Sequence, residues 1–189
     1  MKTPPSDLAR QLMDVSDQVL RTDPAPRLED VARLVGASRA TLYYYFSGRE
    51  DLLTFLLTTH ARQGAEAVRA AVDPADAPPA RLRSMVAAMV GYLGGHPGTC
   101  AGLLGALGGS GRMHDVLAAN DTWIAGPLRE VLIEGRAAGA FAVKSVPDAA
   151  NAIIGALLLA VLGRSMSGRD PADPSFHRQI TEQVVRGVS

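Results

Sequence analysis

The chain has 189 residues, enough for one or two small domains with a real hydrophobic core. Its 19 Lys and Arg balance 19 Asp and Glu, so net charge excludes general polyanion binding, and any nucleic-acid affinity must come from local placement. One cysteine, Cys100, excludes an intramolecular disulfide and a cysteine-based zinc cluster; a small buried apolar role is expected for it, with a redox sensor as the alternative.

The N-terminal stretch MKTPPSDLARQL lacks the apolar core of a signal peptide. Ser6 can cap a first helix in which Leu8, Leu12, Val15 and Val19 form one apolar stripe. The next segment, RLEDVARLVGASRATLYYYFSGREDL at 27–52, carries the most information. Leu28, Val31, Ala32 and Val35 share one helical face, and Gly36 stands where a left-handed C-terminal cap is wanted. Ser38 is a natural N-cap for a second short helix, which keeps Leu42 and Phe46 for the core. On a helical wheel Ala40 and Tyr44 point away from that core. Thr41 lies beside them, and Tyr43 and Tyr45 flank the two sides. Hydroxyls suited to phosphates and ring edges suited to bases thus line one surface, with Arg39 at the helix N-terminus. From Val31 to Arg49 there are three arginines (Arg33, Arg39, Arg49) and no acid, while Asp7, Asp14, Asp17 and Asp23 fall outside, which argues for a restricted contact patch. A helix–turn–helix with a Gly-containing turn lays its second helix in a DNA major groove. The alternative is a helical hairpin whose tyrosines dock a protein partner.

These residues resemble the DNA-binding domain of the TetR family of bacterial one-component regulators. The matching positions are Val31-Ala32, Gly36-Ala37-Ser38, Thr41-Leu42-Tyr43-Tyr44-Tyr45-Phe46 and Arg49-Glu50-Asp51-Leu52. The resemblance implies a homodimer reading a palindromic double-stranded operator. Arg39, Ala40 and Tyr44 would face bases, and Thr41, Tyr43, Tyr45 and Arg49 would hold phosphates. Two departures stand out. The connection before the motif is Thr22-Asp23-Pro24-Ala25-Pro26 rather than a Gly-aromatic pair, and Arg27 occupies a capping position where the family has Ser or Thr.

Beyond the motif, Ser47 and Glu50 fit a capping box for a long helix over 48–71, and DPADAPP at 73–79 reads as a linker. Helices follow near 79–94, 99–109, 113–138, 147–167 and 174–187, with no strand. The expected fold is all-α and TetR-like: a three-helix DNA-binding domain at 1–46, a connecting helix at 47–72, and a C-terminal effector-binding and dimerisation domain at 73–189. Residues 84–128 hold only three formal charges, Arg112, Asp115 and Asp121. A mostly apolar small-molecule effector is expected there, against Met85, Met89, Tyr92, Leu103 and Trp123, with His114 or Asn120 as polar anchors. The resemblance raises that reading, since the family binds effectors in this domain. A dimer interface is expected on Ile153, Leu157, Val161, Phe176, Ile180 and Val184, with burial in a single chain's core as the alternative.

Enzyme readings find no support. Residues 94–111 lack a phosphate-cradling G-x-x-x-x-G-K-[ST], and Gly163-Arg164-Ser165-Met166-Ser167 has Ser where a nucleophile elbow needs Gly. His60, His96, His114 and His177 show no ligand spacing, so neither metal nor cofactor is expected. The longest uncharged apolar run, Ala149 to Gly163, has 15 residues against the roughly 20 a membrane helix needs. The expectation is a cytoplasmic repressor without a membrane partner.

Overall fold

The computed structural model describes residues 2–22, 26–107 and 113–188. The Pro-rich corner at 23–25 and the glycine-rich stretch at 108–112 lie outside the described residues, as do the side chains of 106, 107 and 113. Among the described residues all regular structure is helical. The helices are α1 (Ser6–Asp14), α2 (Ser16–Arg21), α3 (Leu28–Leu34), α4 (Arg39–Tyr45), α5 (Arg49–Ala71), α6 (Pro78–Gly95), α7 (Pro97–Leu107), α8 (Met113–Asn120), α9 (Gly126–Ala137), α10 (Val146–Met166) and α11 (Pro174–Arg186). A π-helical turn, Asp121–Ala125, joins α8 to α9.

Packing divides the chain into two compact units: Met1–His60 with Gly98–Leu117, and Ala61–Pro97 with Ala118–Ser189. The division is interleaved, unlike the contiguous 1–46 and 73–189 expected. Small residues of α7 let it approach the N-terminal helices. A Cβ on Gly102 would fall 2.7 Å from Leu20 Cδ2, and Gly98 donates its N–H to Asp17.

In the first unit α1, α3, α4 and the start of α5 enclose one core, which includes Leu12, Val31, Leu42, Phe46, Leu52 and Leu56. The expected first helix is broken at Val15. Ser6 does not cap it: Pro5 occupies the N-cap position, without a side-chain hydrogen bond. Ser16, the first residue of α2, donates its hydroxyl to the Met13 carbonyl at 2.6 Å. Its only hydrogen is then spent, so the 2.9 Å contact with the buried His60 has His60 Nε2–H donating to Ser16 Oγ. His60 is thereby a hydrogen-bonded core residue that ties α5 to α2.

Cys100 is fully buried, and burial pushes its thiol up to about 12, with the Asp17 carboxylate adding to the rise. Because the thiolate is the reactive form, Cys100 is expected to resist iodoacetamide at pH 8 until the protein unfolds. The folded pKa is raised, so the stability linked to this group is full below the unfolded thiol's pKa of about 8.5 and is lost as pH climbs toward the folded value. Urea titrations from pH 7 to 10 should show that loss, and Cys100→Ala should lessen it. Rapid native alkylation would contradict this assignment and revive the redox-sensor alternative.

In the second unit α6 lies against α9, α10 and α11, burying Leu82, Met85, Val86, Met89 and Val90. At Gly135 the Phe141 ring sits where a Cβ would be, which locks the end of α9 to the chain that follows. α10 begins at the Ser145 cap, which accepts from Asp148 N–H at 3.4 Å. It ends where Arg164 holds Asp173, the α11 cap, at 2.6 Å and covers the Phe176 ring at 4.5 Å.

The expected interface stripe on α10 has its phase corrected by burial. Ile153, Leu157 and Val161, together with Phe176 of α11, are buried within the single chain. They are core residues. The open side of α10 carries Leu159 and Met166, 60% and 79% exposed, among Ala152, Ala156 and Gly163. Ile180 and Val184 of α11 remain half-buried. α10 lies within one residue of the helix expected near 147–167 at each end. At 21 residues it is long and apolar enough to cross a membrane by length and composition alone, although one stripe is buried against the chain's own helices.

Candidate nucleic-acid interface

The turn between α3 and α4 is built by its glycine. Gly36 adopts φ +66, the left-handed conformation that only glycine enters without strain. Ala37 N–H then reaches the Ala32 carbonyl at 2.9 Å and Gly36 N–H the Arg33 carbonyl at 3.4 Å, the paired bonds of a Schellman cap. Ser38 follows in extended backbone and caps α4, its Oγ accepting Thr41 N–H at 3.0 Å. Leu42 and Phe46 are fully buried, so the opposite side of α4 is held outward.

That outward side carries Arg39, Ala40, Tyr43 and Tyr44, all exposed; Tyr44 is the most open of the aromatics at 59%. Thr41 is half-buried, its hydroxyl 2.8 Å from Ser38 Oγ. Tyr45, expected at a phosphate, is also half-buried and packs on the core, edge-on to Tyr44 at 5.0 Å. Arg49 is exposed at the start of α5. The capping pair there differs from expectation: Ser47 N–H donates to Asp51 at 2.9 Å, while Glu50 stays exposed. At α3, Asp30 accepts the Arg27 N–H at 3.3 Å, the reciprocal half of a capping box, while the Arg27 side chain has no acceptor for the other half.

Two residues of this surface were missed in the sequence. The Lys2 ammonium lies 3.7 Å from the Tyr44 ring centroid, adding a cation beside the most exposed tyrosine. Glu29, outside the acid-free stretch, reaches the same surface from α3. It accepts Tyr43 O–H at 3.0 Å and pairs with Arg39 Nη2 at 3.2 Å, while the Arg39 guanidinium lies 5.3 Å from the Tyr43 centroid. The Glu29 carboxyl is held below the usual carboxylate range, first by its own backbone N–H, then by Tyr43, with Arg39 and Arg27 adding to it.

The residues expected around an effector fall in both units. Met85, Met89, Tyr92, Asn120 and Trp123 belong to the second unit, whereas Leu103 and His114 belong to the first. Leu103 packs on the first unit's core, and His114 is exposed. Within the second unit Met85 and Met89 are buried and Trp123 is 36% exposed on the π-turn. Tyr92 donates to Gln63 Oε1 at 3.1 Å and stacks on His96 at 4.4 Å. Burial, with Glu66 nearby, raises its phenol above the usual range, so it remains a neutral donor. Among the described residues no three His, Cys, Asp or Glu side chains converge as metal ligands would.

A capped helix carrying arginine and open tyrosines, fixed behind a glycine turn, forms a helix–turn–helix. Residues 25–54 match the family model described as bacterial regulatory proteins, tetR family. The fold is similar over nearly the whole chain to a tetR-family regulatory protein from Rhodococcus RHA1, with 20% identity, 98% of each chain covered and a TM-score of 0.79. It is also similar to the transcriptional regulator FadR from Bacillus subtilis, solved in complex with stearoyl-CoA (19% identity, 95% of this chain and 99% of that one, TM-score 0.75). The ketosteroid transcriptional regulator of Mycobacterium tuberculosis is similar at 19% identity, covering 100% and 98%, with a TM-score of 0.70. No curated protein matches the chain. Residues 25–54 thus match the DNA-binding segment of the TetR family, and the fold of the chain is similar to that of tetR-family regulators.

Proposed function

We propose that this protein is a one-component transcriptional repressor of the cytoplasm that binds a palindromic operator as a homodimer and is released by a small, mostly apolar effector. The observation that carries the reading is the outward side of α4. Arg39, Ala40 and Tyr44 stand clear of the core on a helix whose cap and turn are rigidly made, as base contacts require. Thr41, Tyr45 and Arg49 are the proposed phosphate contacts, which would set the register of the helix in the groove, while Tyr43 commits its hydroxyl hydrogen to Glu29. A dimer is supported by the open apolar side of α10, since a patch carrying Leu159 and Met166 is poorly suited to water. With Ile180 and Val184 it would make a self-complementary two-fold contact.

For the effector we retain Met85, Met89, Tyr92, Asn120 and Trp123 and set aside Leu103 and His114. A long apolar chain or a ring system suits this part of the protein, where formal charge is scarce. The stearoyl-CoA complex of the Bacillus subtilis regulator and the ketosteroid class of the mycobacterial one point the same way. Long-chain acyl and sterol-like compounds are therefore expected to change Trp123 fluorescence and to weaken DNA binding together. Only a ligand that prefers one of two conformations can do so, at about 1.4 kcal/mol of differential binding per tenfold change in affinity. A ligand whose binding ignores Met89→Ala and Trp123→Ala would move the effector elsewhere.

A mobility-shift assay with genomic fragments and excess competitor DNA tests the function itself. Discrete retained fragments are expected. No retention at micromolar protein would favour a helical adaptor that uses the tyrosines of α4 for protein docking.

A further inference from the structure

The surface proposed to meet DNA contains an acid, and a carboxylate there opposes binding to any polyanion. Glu29 is not on α4 and not in the arginine-bearing stretch, yet two side chains of α4 converge on it. Tyr43 donates its hydroxyl at 3.0 Å and Arg39 its Nη2 at 3.2 Å, with the guanidinium lying over the Tyr43 ring. The Glu29 side chain is 31% exposed and the Arg39 side chain 70% exposed, so the carboxylate is lodged between the helices while the rest of the guanidinium stays open.

We propose that Glu29 is a specificity-determining positioning residue: it clamps Arg39 against Tyr43 so that the guanidinium meets an oriented pair of base acceptors better than a phosphate. This rests on the DNA-binding reading above. The physical reasoning has two parts. A free arginine on this surface would move to whichever phosphate is nearest, and that contact carries no sequence information. An arginine with one nitrogen on Glu29 and its plane set by a ring keeps its remaining donors in a fixed fork. Such a fork matches the O6 and N7 acceptors of guanine. The carboxylate also penalises every sequence alike, while the oriented fork recovers affinity only where the correct base lies opposite. Discrimination widens and non-specific affinity falls.

Glu29→Gln keeps an acceptor for Tyr43 and removes the charge that holds Arg39. The test measures binding of the wild type, Glu29→Gln, Arg39→Ala and the double variant to the selected operator and to random duplex DNA across a salt series. Thermal melting establishes that each variant is folded. Glu29→Gln is expected to bind random DNA more tightly and to steepen its log–log salt slope by about 0.9, one added phosphate contact. The operator-to-random ratio should fall about tenfold, within what one oriented arginine–guanine pair is worth. In the Arg39→Ala background the same change should leave the ratio where it was. An unchanged ratio in Glu29→Gln, or an equal loss with Arg39 absent, would overturn the clamp; the latter would mean that the carboxylate touches a base itself. Failure of the wild type to bind any DNA would instead overturn the reading beneath it.

Discussion

Leu157→Glu is expected to prevent stable folding of the second unit, whereas Leu159→Glu, two residues later on the same helix, is expected to give a folded monomer. Leu157 is fully buried against the chain's own helices, and an unpaired buried charge costs several kcal/mol. That is comparable with the roughly 5–15 kcal/mol by which domains are stable at all. Leu159 is 60% exposed, so its replacement leaves the core intact and places a carboxylate in the proposed two-fold contact, where it would face its own symmetry mate. Circular dichroism and analytical ultracentrifugation separate the outcomes: loss of the cooperative melt for Leu157→Glu, and a wild-type melt with halved mass for Leu159→Glu. A monomeric wild type at micromolar concentration, or a Leu159→Glu variant that stays dimeric, would remove the open side of α10 from the interface.

The second large effect is expected at α4. Tyr44→Ala should leave stability unchanged, because the side chain is mostly in solvent, yet alter base preference and weaken operator binding by about tenfold or more. Arg49→Ala should act differently, weakening binding to all sequences alike and reducing the salt slope by about 0.9. Competition binding at two salt concentrations distinguishes them. A Tyr44→Ala variant that loses affinity equally for operator and random DNA would make Tyr44 a phosphate contact.

What the sequence disclosed and what it hid divide along the range of the interactions. Gly36, Ser38, Leu42 and Phe46 were legible because a left-handed cap, an N-cap and a one-turn apolar pair are decided within a few residues. The Asp51 cap was missed by one residue, since the acid that reaches back to Ser47 is four residues on rather than three. The break at Val15 was hidden because Leu12 and Val19 are buried on either side of it and keep the apolar stripe continuous. Glu29 is hidden in the sequence because only the packing of α3 on α4 carries residue 29 to residues 39 and 43. On α10 the difficulty was one of phase. A helix apolar nearly all round has no preferred side in its sequence, so the stripe of Leu157 was read as the interface although it is buried, and Leu159 on the open side was not singled out. That Leu103 packs on the core of the N-terminal helices was hidden for a similar reason, because nothing local in the sequence reveals it.

Selection of bound duplexes from a random pool by the purified full chain tests the central claim most directly. Enrichment of one palindrome is predicted, with half-sites about 34–36 Å apart or a helical turn further, occupied by two chains. Recovery of no enriched sequence, or of a single unpaired half-site bound by one chain, would contradict it.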